Sequence, residues 1–168
     1  MRKAIAAMVV GLLAGFAVAA DAPAAIPKEG SNSYFAALVG TLKSLPLGKD
    51  RVQLAYDVTG VVVSDTGEGI LHNASVRCLG GMHVVNGAFE DETTACAYTR
   101  PDGDQVFTIG KSSGKQGVAA KGTVTYVGGT GKMAGITGGG ETIRTSIRPA
   151  PEGVSLSYVR SKGTYKLP

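Results

Sequence analysis

From Arg51 to Tyr165 the chain is a succession of short runs in which apolar and polar residues alternate, each closed by a turn. In Arg51–Val63, Val52, Leu54, Tyr56 and Val58 fall on one face, and Gln53, Asp57 and Thr59 on the other. That period of two describes a half-buried strand. Ser64–Gly69 reads as a turn, and residues 70–79 and 83–89 as two strands broken at Gly80-Gly81. Residues 93–100 form another strand, followed by Pro101-Asp-Gly-Asp104, where Asp-Gly tolerates positive φ. Residues 105–109, 118–127, 139–148 and 153–165 complete the set, with a last turn at Pro149–Gly153. Residues 34–47 stay open between two readings. Leu38, Leu42 and Leu45 have helical spacing, whereas Val39 and Thr41 suit a strand.

The count is about eight to ten strands with almost no long helical pattern. Glycine supplies 25 of 168 residues, about twice the usual share, placed at turns and at expected bends or bulges. The chain is therefore expected to be all-β. A single antiparallel β-barrel of about eight strands fits best, because closure removes exposed strand edges. A β-sandwich is the alternative.

Residues 1–20 have the layout of a secretory signal peptide: Arg2 and Lys3, an apolar run from Ala4 to Phe16, then Val18-Ala19-Ala20. The run is short for a membrane span, and no cysteine near the cleavage point offers a lipid anchor. Residues 21–32, with two prolines, read as a flexible arm, and 33–168 as the barrel domain. The leader looks bacterial, so a periplasmic or secreted protein is expected, and the glycosylation match at Asn73-Ala-Ser75 carries no weight. Without Arg2 and Lys3 the 17 basic residues become 15 against 13 acidic. That balance, with no basic cluster interleaved with aromatics, gives no case for nucleic acid. Cys78 and Cys96 are expected to form a disulfide across 18 residues, contributing about 3 kcal/mol in the chain-entropy model. They do not form a Cys-x-x-Cys pair, which leaves redox and zinc roles without support.

The glycine-rich run Gly122–Gly140 invites a nucleotide-binding reading and fails it. A P-loop needs Gly-x-x-x-x-Gly-Lys-Ser/Thr; here Lys132 follows Gly131, but Thr125 or Tyr126 stands where the first glycine belongs, and Met133 replaces Ser/Thr. Thr130-Gly131-x-x-x-Gly135-x-x-Gly138 misses the dinucleotide loop of short-chain dehydrogenases by one place, and no long helix follows. No cofactor is expected. The segment Val127-Gly-Gly-Thr-Gly-Lys-Met-Ala-Gly-Ile-Thr-Gly-Gly-Gly-Glu141 instead resembles the Gly-Gly-Thr-Gly-x-(aromatic or Met)-x-Gly-x-x-Gly signature of the allene oxide cyclase and dirigent barrels. Exported bacterial proteins are similar through this stretch and through Asp102-Gly-Asp104. The resemblance covers residues 117 to about 145. It implies an eight-stranded barrel with a lumen, a helical turn around Lys132-Met-Ala, and Gly128, Gly129, Gly131, Gly135 and Gly138 shaping the reversal. Met133 would plug one end. No active site carries over.

Among chemistry-bearing residues, His72 and His83 are able to meet across Gly80-Gly81 and bind a metal with Glu90 or Asp91. Two separate histidines are the plainer reading, and no metal site is expected. Asp102-Gly-Asp104 has alternate carboxylates but lacks the further ligands of a calcium loop. Glu90-Asp-Glu92 reads as a solvated loop. A barrel lumen is lined by every second side chain, so strand residues Tyr56, Tyr98, Arg100, Glu141, Arg144 and Tyr158 are the ligand-binding candidates, a buried Arg–Glu pair among them offering acid–base chemistry. No catalytic set can be assembled by motif, and enzyme activity is left open. The expected role is binding of a small apolar molecule in the lumen. A cyclase- or dirigent-like enzyme, or an envelope protein acting through its outer surface, are the alternatives. Oligomeric state is not legible.

Overall fold

The computed structural model describes residues 26–168, so the leader and residues 21–25 of the arm lie outside it. Eight strands form one closed antiparallel barrel in chain order: β1 (Glu29–Pro46), β2 (Arg51–Ser64), β3 (Ser75–Val85), β4 (Ala88–Thr99), β5 (Gln105–Lys115), β6 (Ala120–Gly129), β7 (Thr137–Ser146) and β8 (Val154–Lys166). Each strand pairs with the next, and β1 closes on β8 from Glu29↔Lys166 to Thr41↔Val154. No strand edge is left open, which satisfies the backbone polar groups of every strand. The segment 34–47, which carried both periodicities, is strand to Pro46, and residues 29–32 of the expected arm are already paired in it. The break expected at Gly80-Gly81 lies instead at Asn86-Gly87, since β3 runs through both glycines, and residues 70–74 depart from the strand expected there. They form a turn that tucks Ile70, Leu71 and Ala74 against the barrel end, where burial outweighs extension of β3.

One end is plugged. Ile70, Leu71, Met133, Ile136 and Leu167 meet Tyr34, Tyr98, Tyr126 and Tyr165 in a single buried cluster. Met133, 0% exposed, sits on the one-turn 3-10 helix Gly131–Met133 between β6 and β7. Gly131 has φ +52°, and a Cβ there would fall 1.8 Å from Asp104 Oδ1, so only glycine lets the two loops approach this closely. The Asp102/Asp104 turn straps the plug down. Asp102 accepts from Arg100 Nε (3.2 Å) and Lys132 Nζ (3.0 Å), and Asp104 Oδ2 accepts from Lys132 N–H (2.9 Å). Arg100 also donates to the Ile70 carbonyl. The Arg100 guanidinium, then Lys132, hold the Asp102 carboxyl well below the usual carboxylate range. The turn is thus a strap between loops.

Among the described residues no helix is long and apolar enough to cross a membrane. The outer face mixes the charged Arg77, Glu141, Arg160 and Lys162 with exposed Val39, Val61, Val63, Leu79 and Ile143, while Val58, Val76 and Tyr98 fill the inside.

Candidate functional site

The lumen is not filled beyond the tyrosine layer. A cavity of about 90 Å³ runs through mid-barrel, walled by Tyr34, Val58, Val76, Tyr98, Val124, Val159 and the Cys78–Cys96 disulfide. The two cysteines stand directly opposite on β3 and β4, with Cα atoms 4.1 Å apart. The space exists because the inward positions of β8 are Ser155, Ser157 and Val159, and that of β5 at mid-height is Gly110. A Cβ built on Gly110 would make ordinary contacts, the nearest to Thr123 O at 3.6 Å, so a side chain would fit and its absence leaves part of the space.

Toward the open end the wall becomes polar around Glu92, which is 2% exposed. The expectation of a solvated loop at Glu90-Asp-Glu92 fails for this residue. Between Phe89 and Glu92 strand β4 carries a bulge: Phe89 faces Gly114 and Glu92 faces Ser112, so Glu90 and Asp91 stand against Ser113 alone. The extra residue turns Glu92 inward. Its Oε1 accepts from Tyr56 Oη (2.7 Å), and its Oε2 from Arg144 Nη2 (2.7 Å) and Ser112 Oγ. Arg144 also donates to Ser146 Oγ (3.1 Å), and Tyr56 Oη touches Thr94 Oγ1. Three donors, one of them a guanidinium, compensate a carboxylate held away from water.

Gly80 makes this geometry feasible, since a Cβ there would lie 2.4 Å from Tyr56 Oη. Burial first, and then the neighbouring Glu92 charge, push the Tyr56 phenol well above its ordinary value, so it remains a donor at neutral pH. Deeper in, Tyr34 and Tyr98 hydroxyls lie 3.1 Å apart, and burial likewise pushes both phenols up.

Of the sequence candidates, Tyr56, Tyr98 and Arg144 line the lumen. Arg100 belongs to the strap at the plugged end. Glu141 is exposed on the outer face of β7, three residues from Arg144 and therefore on the opposite side of the strand. Tyr158 also faces out, stacked on Phe35 with ring centroids 5.4 Å apart and Arg160 above that ring. The buried Arg–Glu pair is Arg144–Glu92, with β4 supplying the acid. His72 and His83 sit near opposite ends of the barrel, His72 Nδ1 accepting from Ser64 N–H. Among the described residues no group of three His, Cys, Asp or Glu is placed to hold a metal. Of the glycines expected to shape the reversal, Gly128, Gly131, Gly135 and Gly138 have positive φ. Gly129 is needed for closeness instead: a Cβ would meet Gln105 O and Met133 O at 2.6 Å.

Sequence reasoning missed Glu92, Thr94, Ser112, Gly80 and Gly110. Counting inward positions back from Tyr98 (96, 94, 92) finds Glu92; counting forward from Phe89 does not. In comparisons with known proteins, the chain matches no family model, no curated protein and no solved structure.

Proposed function

We propose that this is an exported barrel that binds a small, largely apolar molecule in its lumen, oriented by the Glu92–Arg144–Tyr56 cluster. The observation that carries the reading is the juxtaposition of an unfilled, mostly apolar cavity with one buried, fully hydrogen-bonded polar cluster in its wall. A few convergent polar groups in an apolar pocket are what fixes a ligand's orientation. The space corresponds to on the order of six to nine waters at about 10–15 Å³ each, which suits a ligand of roughly ten non-hydrogen atoms. The disulfide supports a role outside the cytoplasm. The glycine-rich loop and the eight-stranded closure support placing the chain with the allene oxide cyclase and dirigent-like barrels. Glu92 and Tyr56 beside an apolar space also favour a second reading, an isomerase that steers a bound substrate and moves one proton.

An NMR titration of the oxidised protein with 1-octanol tests the binding reading. Saturable shifts are expected at the amides of Thr108, Gly110 and Thr123, all in the cavity wall. Gly110→Leu, which projects into the cavity, should abolish them, as should Ser157→Leu from the facing wall. Absence of saturable shifts in the native protein, or their persistence in both folded variants, would sink the reading.

A further inference from the structure

A second cavity, of about 60 Å³, continues the lumen to the open end and shares Tyr56, Arg144 and Ser155 with the first. Its inner wall is apolar, formed by Leu42, Leu54, Met82 and Phe89. Its rim carries Lys115 at the end of β5 and Arg148 just past β7, beside the partly exposed edge of Arg144. No acidic residue lines this cavity among the described residues. Glu90 and Asp91 near the start of β4, and Asp50 and Glu152 on turns of the same end, do not border it, and Glu92, deeper, is committed to Arg144. Neither Lys115 nor Arg148 forms an ion pair among the described residues. The path from solvent to the disulfide thus begins with unpaired positive charge, passes apolar side chains and the Glu92–Arg144–Tyr56 cluster, and ends in a mostly apolar chamber.

From this order we infer that the ligand is a monoanionic amphipath, a medium-chain or monocyclic carboxylate. Its apolar body fills the lumen, and its carboxylate rests at the mouth between Lys115 and Arg148. The inference rests on the lumen-binding reading and adds the charge and polarity of the ligand. A neutral molecule would leave both cations without a partner. A cationic one would meet like charge from Lys115, Arg148 and Arg144, the charged residues that line the entrance among the described residues. Chain length follows from the inner cavity, which takes a body of about eight carbons, while the outer one, about 60 Å³, leaves the head group at the rim. A mouth of one sign also concentrates ions of the other sign at the entrance, an effect that weakens as salt is added.

The experiment is a set of parallel NMR titrations with octanoate, 1-octanol and octylamine at low ionic strength and neutral pH. Octanoate is expected to bind at least tenfold more tightly than 1-octanol, with octylamine weakest. The advantage should shrink in 0.5 M sodium chloride. In K115Q/R148Q, octanoate should fall to the affinity of 1-octanol, while K115R/R148K, which keeps both charges, should retain the preference. Equal affinity of octanoate and 1-octanol for the native protein would overturn the inference and leave the lumen reading standing, as would a preference that survives in K115Q/R148Q. Failure of all three compounds to move the lumen amides would sink the lumen reading and this inference with it.

Discussion

The two ends of the barrel start from the same alternating strands and diverge in what the last inward positions hold. At the plugged end, tyrosines and large aliphatic residues interlock with two loops, and the Asp102–Lys132 and Arg100–Ile70 contacts fasten those loops to each other. At the open end a smaller cluster of Leu54, Met82, Val84, Phe89 and Ala120 lines part of the wall, serines, Gly110 and one ion pair take other inward positions, and space remains. The contrast separates two jobs. Close packing at one end supplies stability, which lets the other keep a cavity and a buried charge that cost stability.

The largest effect expected from this contrast is alkaline. Burial pushes the phenols of Tyr34, Tyr98 and Tyr126 at the plugged end above their ordinary value, as it does Tyr56 in the lumen. The folded protein keeps protons that the unfolded chain gives up above its pKa of about 10. The unfolded state then binds fewer protons, and stability falls as pH rises. Each retained phenol should steepen the fall by about 1.4 kcal/mol per pH unit. Urea melts between pH 9 and 11 should show it, with tyrosinate absorbance rising mainly at unfolding; a flat profile would contradict a tyrosine-packed plug.

Next in size, Arg144→Met should destabilise the open end by about 3–5 kcal/mol, because it strands the Glu92 charge in the lumen. Adding Glu92→Gln should restore most of that in chemical denaturation, a recovery that simple loss of packing would not give. Met133→Ala removes a fully buried side chain and should cost about 2–5 kcal/mol. It should leave octanol binding intact, since the cavity lies toward the opposite end. Loss of binding at unchanged fold would show that the two ends are not separable.

Particular residues show how far the sequence could be read. The alternation of Val52, Leu54, Tyr56 and Val58 held through β2, because one face of that strand meets a core throughout its length. The same logic misleads on β8. There Val154, Leu156 and Tyr158 form the more apolar face, yet Ser155, Ser157 and Ser161 point inward. A lumen needs small inward side chains, and an amphipathic pattern cannot distinguish a packed interior from a hollow one. Glu92 was hidden by a bulge that adds one residue and reverses the faces of everything beyond it. Arg144 was legible as a strand residue, but its partner was sought on its own strand, where a three-residue offset puts Glu141 on the other face.

The sequence by itself determined the all-β class, the turns at Pro101–Asp104 and Pro149–Gly153 and the pairing of the only two cysteines, because these follow from local periodicity, backbone freedom and composition. Tertiary structure decided which face points inward, that the barrel is plugged at one end only, and that Glu92, Arg144 and Tyr56 meet. Those depend on register and closure, which relate residues far apart in the chain, and a single bulge can invert them.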